Sequence, residues 1–144
     1  MNDVFVCIPS LMAFQKRTFD IVLSVLGLLL VWWLILLAAL IARNDTGMNG
    51  FFTQQRVGRG GKLFYVVKIR TMKPAPDIET TVTTDNDARI TRIGRLFRKS
   101  KIDELPQLIN VLLGDMSFVG PRPDVRGFAD MLTGEERRIL SLRP

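Results

Sequence analysis

Histidine is absent from this 144-residue chain, and cysteine occurs once, as Cys7. The first absence excludes Ser-His-Asp and Cys-His nucleophile systems and histidine-ligated zinc. The second excludes an internal disulfide and a cysteine-rich metal site. Proline is missing from the one long apolar run, Ile21 to Ala42, so no residue there enforces a kink. Chemistry is left to carboxylates, Lys, Arg, Ser or Thr, with a hard cation such as Mg2+ as the natural metal partner.

What is present is unevenly distributed. Hydrophobic residues make up 47% of the chain, and Ile21 to Ala42 is interrupted only by Ser24 and Gly27. As a helix this run is about 33 Å long, enough to cross a hydrocarbon core. It is too long for a signal peptide, and no A-x-A site follows it. Trp32 and Trp33 sit mid-run rather than at an interface. Basic residues flank both ends, with Lys16 and Arg17 before and Arg43, Arg56, Arg59 and Lys62 after. Charge on both sides suits a re-entrant helix whose ends share one face, whereas the missing proline suits a spanning helix. Both geometries stay open. The net charge of +6 beside such a segment fits anionic lipid or phosphate partners, and equally a positive-inside flank. The chain divides into an N-terminal segment with the membrane helix, residues 1–43, and a polar domain, residues 44–144.

After the turn signals Asn44-Asp45-Thr46-Gly47 and Asn49-Gly50, Phe51–Val57 and Leu63–Arg70 have strand-like content around Gly58-Arg59-Gly60-Gly61. This predicts a β-hairpin. The glycines do not make a P-loop, because Arg56 holds the first glycine's place and Leu63 follows Lys62. Lys73 to Asp87, rich in Pro, Thr and Asp, reads as a loop near the site. Arg89 to Lys101 carries Arg89, Arg92, Arg95, Arg98, Lys99 and Lys101 with no acid, and Ile90, Ile93, Leu96 and Phe97 recur at helical spacing. This predicts a basic amphipathic helix, binding headgroups or phosphate, or merely presenting a solvated face. A nucleic-acid module is disfavoured, since a lone Phe97 makes no stacking platform and such a module leaves Ile21–Ala42 unexplained. Leu105 to Leu113 predicts a short helix with Pro106 in its first turn and Gly114 as C-cap. Thr133-x-x-Glu136 matches a capping box and predicts a helix over Gly134–Leu142.

Asp103 and Glu104 therefore fall at or just before a helix N-terminus, where the dipole and free N–H groups favour an ionised carboxylate. That placement alone equally describes a helix cap. Two neighbours add chemistry. Arg98-Lys99-Ser100-Lys101 precedes the pair, and Gly120-Pro121-Arg122-Pro123 follows as a stiff turn presenting one guanidinium. Carboxylate, metal and a fixed Arg are what phosphoryl transfer needs. Arg122 could instead pair with Asp115 or Asp124.

Lys16-Arg17-x-x-Asp20, Phe52-Thr53-Gln54-Gln55-Arg56-Val57-Gly58, Lys68-Ile69-Arg70-Thr71-Met72 and, above all, Ile102-Asp103-Glu104-Leu105-Pro106-Gln107-Leu108 running on to Gly114-Asp115-Met116-Ser117-Phe118-Val119-Gly120-Pro121-Arg122-Pro123 resemble the catalytic unit of bacterial sugar transferases. These are the monotopic polyprenyl-phosphate phosphoglycosyl transferases. The resemblance covers nearly the whole chain from Lys16. It implies transfer of a sugar-1-phosphate from a UDP-sugar to undecaprenyl phosphate, an early membrane step of bacterial glycan assembly. Asp103 would be the covalent nucleophile, and Glu104, with Asp103, would hold Mg2+. Arg122 would contact phosphate, with Arg98, Lys68 and Arg70 as further basic substrate contacts. Lys16, Arg17 and Asp20 would serve membrane anchoring. The implied fold is a small α/β membrane-associated domain, with a re-entrant or spanning helix, a β-hairpin and amphipathic surface helices. Implied partners are a polyprenyl phosphate lipid, a nucleotide sugar and inner-membrane phospholipid, not nucleic acid. A homodimer is left open, and the catalytic part would face the cytoplasm. The competing class is a membrane-anchored protein that binds anionic lipid without catalysis. Two departures stand out. The family's helix bends at a Ser-Pro pair, which falls near Trp32-Trp33 here. Its chains also run on beyond the position of Pro144, so the resemblance implies an incomplete C-terminus.

Overall fold

The computed structural model describes residues 10–74, 87–125 and 140–144. The expected helix over Gly134–Leu142, with its capping box, lies largely outside these residues, as does most of the expected loop between Lys73 and Asp87. The elements are helix α1 (Ser10–Thr46), hairpin strands β1 (Phe51–Val57) and β2 (Leu63–Ile69) joined through a 3-10 turn at Arg59–Gly61, helix α2 (Arg92–Ser100), a second 3-10 turn at Ile102–Glu104, and helix α3 (Gln107–Leu113). The fold is mixed α/β, as the sequence predicts.

Helix α1 is continuous for 37 residues. The helix is unbroken through Ser24 and Gly27, and the Ser24 hydroxyl donates back to the carbonyls of Asp20 and Ile21 within it. Such i−4 bonding keeps the hydroxyl satisfied inside the apolar run. One stripe of the helix faces the rest of the chain along its length, from Asp20 and Ser24 through Ile35, Ala38, Ala39 and Ala42 to Thr46. Ile35, Ala38, Ala39 and Ala42 share a core with Ile69 and Phe97. The small residues let the backbone come close, and a Cβ on Gly50 would stand 1.9 Å from the Ala39 carbonyl oxygen. The opposite faces stay bare. Only 22% of the most apolar window is buried, and Leu29, Leu30, Trp33 and Leu40 are exposed.

The N-terminal part of α1 is tied to the same body. Arg17 donates to the carbonyls of Val111 and Leu112 at 2.7 and 2.6 Å, occupying the negative end of α3. Lys16 donates to the Val119 carbonyl at 2.6 Å. Asp20 is only 1% exposed and accepts the Phe118 N–H at 3.2 Å. Phe19 meets the Phe118 ring edge-on. Lys16, Arg17 and Asp20 thus bind protein groups, clamping the helix to the loop that follows α3.

The hairpin forms as expected, with Phe51 opposite Ile69 through Val57 opposite Leu63. Its turn needs positive φ at Gly60 and Gly61. Helix α2 is shorter than the basic stretch suggests. It starts after Thr91, whose hydroxyl accepts the Gly94 N–H at 2.8 Å as an N-cap. Arg89 precedes it in a turn closed by the Ile90 N–H on the Asp87 carbonyl, and Ile90 bridges Met72. Gly114, at φ 95°, caps α3 as predicted.

Candidate active site

Three elements bring the sequence-predicted residues together. Lys101 takes a left-handed conformation (φ 60°, ψ 15°) at the end of α2, turning the chain directly into the 3-10 turn that carries Asp103 and Glu104. Pro106 then opens α3 without needing an N–H. The carboxylates therefore sit where α2 and α3 meet, beside Lys68 at the open end of the hairpin.

Asp103 is 8% exposed, and its Oδ1 is buried without a hydrogen-bond partner. Burial first, and the Glu104 carboxylate second, push its pKa above the ordinary aspartate range, while Lys68 and Arg98 pull the other way. Glu104 Oε1 lies 3.4 Å from Lys68 Nζ. Two adjacent carboxylates, one with a buried oxygen lacking a donor, suit a hard cation. Mg2+ typically takes one or two protein carboxylates, with waters and substrate phosphates completing its shell. Among the described residues no cluster of three or more His, Cys, Asp or Glu exists, so a fully protein-built cage is not on offer there.

The carboxylates open into a cleft of about 1210 Å³. Its walls are basic. Lys68, Arg70, Arg98 and Arg122 all line it, as do Arg56 and Lys101. Arg98 is aimed by the bond from its Nε to Thr71 Oγ1 at 2.9 Å. Arg70 is held by a 2.8 Å bond to the Asn49 carbonyl and lies over the Phe52 ring at 5.3 Å. Arg89 also lines the cleft, but its guanidinium already makes three hydrogen bonds to the Asp87 carboxylate, which drop that carboxyl to about 2. Arg122 makes no ion pair with Asp115 or Asp124 among the described residues, so the pairing considered from spacing is not found.

Two contributors went unassigned in the sequence. Asn110, 2% exposed, accepts the Val67 N–H at 3.1 Å and donates to the Tyr65 carbonyl at 2.7 Å. Its side chain stands in for a third strand beside β2. The available signal was its polarity inside the apolar run Leu108–Leu113. Arg56 carries no site role in the sequence reading, although it falls within the motif Phe52–Gly58. Strand alternation puts it on the same face as Phe52 and Gln54, which a period-two reading of β1 could have shown.

A profile of the bacterial sugar transferase family matches residues 11–144. The chain is 39% identical over 136 residues to a Bacillus subtilis (strain 168) protein provisionally named an undecaprenyl-phosphate N-acetylgalactosaminyl 1-phosphate transferase, covering 86% of this chain and 76% of that one. It is 39% identical over 136 residues to the UDP-N-acetylgalactosamine-undecaprenyl-phosphate N-acetylgalactosaminephosphotransferase of Aeromonas hydrophila, covering 93% of this chain and 32% of that protein. It is 46% identical over 110 residues to the UDP-glucose:undecaprenyl-phosphate glucose-1-phosphate transferase of Xanthomonas campestris pv. campestris, covering 75% of this chain and 23% of that protein. The chain thus spans under a third of the length of the last two.

Proposed function

The chain belongs to the bacterial sugar transferase family, and we propose that it moves a sugar-1-phosphate from a UDP-sugar to undecaprenyl phosphate, with Asp103 as the covalent nucleophile. The observation that carries this reading is the buried, unpartnered Oδ1 of Asp103 at the edge of a cleft walled by Lys and Arg. A capping carboxylate would have its oxygens on backbone N–H groups. This oxygen has no such donor, so helix capping does not account for it.

The ionised Asp103 oxygen attacks the phosphorus that bears the sugar. That P–O bond forms as the bond to the other phosphate breaks, and UMP leaves with the electron pair. A phosphate oxygen of the lipid then attacks the same phosphorus and releases the Asp103 carboxylate. Lys68 and Arg98 neutralise charge on the non-bridging oxygens, and Arg122 holds a phosphate from the opposite wall. Mg2+, held by Glu104 with Asp103, would supply further charge neutralisation when bound. The bare apolar faces of α1 would lie in the bacterial inner membrane against phospholipid, with the cleft open to the cytoplasm. The named relatives carry N-acetylgalactosamine or glucose, so family membership alone does not select the sugar.

The test is a panel of UDP-sugars incubated with undecaprenyl phosphate and Mg2+, reading UMP release and a trapped phosphosugar adduct. Asp103→Asn should lower transfer by at least about a thousandfold and abolish the adduct. Full activity in that variant rejects the nucleophile assignment. Mg2+-independent lipid binding with no UMP release from any donor would favour a lipid-binding protein without catalysis.

A further inference from the structure

We propose that the outer edge of strand β1 reads the base of the nucleotide donor, with backbone N–H and C=O groups of Thr53 and Gln55 bonding the imide edge of a uracil ring. The inference rests on the transferase reading for the identity of the ligand, and on the ladder and the cleft for its place.

Hydrogen bonds at both ends of the hairpin fix which way each backbone group points. In an antiparallel pair the N–H and C=O of one residue point the same way, and successive residues alternate between the partner strand and the outside. The Arg70 N–H donates to the Gly50 carbonyl, and the Gly58 N–H to the Lys62 carbonyl, each at 2.7 Å. Phe52, Gln54 and Arg56 therefore point their backbone groups at β2. Thr53, Gln55 and Val57 point theirs outward. The Val57 N–H accordingly donates to the Asp124 carbonyl at 3.0 Å. At the other end the Phe51 N–H donates to Asn49 Oδ1 at 3.0 Å. On β2 the outward groups of Tyr65 and Val67 are met by Asn110. Between these closures, the backbone groups of Thr53 and Gln55 have no partner among the described residues.

This open edge lies inside the cleft. A strand that offers a cavity one face alone lines it with alternate residues. Here five in succession line it, from Phe52 through Arg56. The cleft thus wraps from the face carrying Phe52, Gln54 and Arg56 over the edge to Thr53 and Gln55.

The chemistry of this stretch differs from that of the other walls. Phe52-Thr53-Gln54-Gln55 carries no charge, whereas Lys68, Arg70 and Arg98 line the cleft nearer the carboxylates. Neutral donors and acceptors suit a neutral part of the ligand. Position selects the base over the sugar. Phe52 pairs with Lys68, which bonds Glu104, so this end of β1 lies beside the carboxylates. Gln55 is about 10 Å farther along the strand. The sugar is attached to the attacked phosphorus and stays near Asp103, while the base lies beyond a second phosphate and a ribose. Uracil also matches the groups on offer. Its N3–H donates and its adjacent carbonyl accepts, so one outward residue can meet both at once. Sugar hydroxyls make no such fixed demand.

The test uses the full chain in detergent and compares UDP with its N3-methyl analogue, whose ring can no longer donate. Wild type should bind the analogue at least about tenfold more weakly, because a site built for a hydrogen bond rejects a ligand that cannot make it. Thr53→Pro and Gln55→Pro each delete an outward N–H that the ladder does not use, a change an edge strand tolerates. At least one should weaken UDP by about five- to tenfold while affecting the analogue less. Thr53→Ala and Gln55→Ala keep the N–H and should each lose less than the matching proline variant. Equal affinity of wild type for UDP and the analogue overturns the proposal, and that comparison needs no variant to fold. Alanine variants that lose as much as the proline ones also overturn it, since side chains then read the base. So do proline variants that dissociate a dimer without changing UDP affinity, which marks the edge as a seam between two copies. A chain that discriminates against the analogue yet releases no UMP from any UDP-sugar rejects the transferase reading and leaves the base site standing.

Discussion

Lys68 and Glu104 meet at 3.4 Å across 36 positions of sequence, one from the second strand of the hairpin and one from the turn before α3. Neither element alone fixes that distance. Asn110 does so, because its side chain is bonded to the backbone on both sides of Val66 and reaches Val67, the residue next to Lys68.

Asn110→Ala should therefore cost about 2–4 kcal/mol of stability, since it strips partners from two backbone groups and leaves a cavity. Chemical denaturation with the midpoint and slope fitted separately checks this. Asn110→Asp keeps the acceptor for Val67 but replaces the donor to Tyr65 with a carboxylate oxygen facing a carbonyl. It should be at least as damaging at neutral pH. A loss under about 0.5 kcal/mol for both variants would show that α3 is held to β2 by other contacts.

Asp103 carries a stability cost. Its folded-state pKa is raised by burial and by Glu104, so the folded metal-free protein binds its proton more tightly than the unfolded chain does. Between the ordinary aspartate pKa and the raised value, stability falls as pH rises, and above that window the full penalty remains. Asp103→Asn should accordingly raise the thermal midpoint of the EDTA-treated protein at neutral pH and leave it little changed at acid pH. Mg2+ should then stabilise the wild type more than the variant. An unchanged midpoint across the pH range would place Asp103 in an ordinary polar environment.

Much of this arrangement is legible locally. The hairpin follows from strand-like runs around a glycine cluster, and the start of α3 follows from Pro106, which confines Asp103 and Glu104 to the turn before it. Gly114 marks the end of α3 for the same local reason. What the sequence leaves open is set by contacts far apart in the chain. The basic stretch from Arg89 predicts a helix from its periodicity, but Ile90 is captured by Met72 and the helix waits for the Thr91 cap. Lys16, Arg17 and Asp20 look like charges placed for a membrane surface, yet their acceptors and donors lie on residues 111–119. No local pattern announces a side chain that caps a helix almost a hundred residues away.

Arg17 gives that long-range contact a measurable consequence. Its guanidinium bonds two carbonyls at the C-terminus of α3, where a cation also meets the negative end of the helix dipole. Arg17→Met keeps much of the side-chain length but removes both effects, and should cost about 1–3 kcal/mol. Arg17→Lys should recover less than half, since one ammonium does not reproduce the two-carbonyl fork. Thermal unfolding of the detergent-solubilised protein reads both. If instead the residue acts only at the membrane surface, the two variants will be as stable as wild type and differ only in partitioning to vesicles.

Gly94 is the last constraint on the site, and a sterically exacting one. Helix α2 approaches the end of β2 so closely that a Cβ at position 94 would stand 2.1 Å from the Thr71 carbonyl oxygen and 2.8 Å from the Thr91 cap oxygen. Its backbone φ lies in the ordinary helical range, so alanine would be favoured there by helix propensity alone, by about 1 kcal/mol. The contact reverses that sign. Gly94→Ala must push α2 away from Thr71, whose hydroxyl also holds Arg98 at 2.9 Å, and should destabilise by about 1–3 kcal/mol net. Because Arg98 moves with the helix, transfer should fall further than the stability loss explains, measured at a temperature where the variant remains folded. Gly94→Ala with wild-type stability and activity would mean that α2 can shift freely without disturbing the Arg98–Thr71 pair.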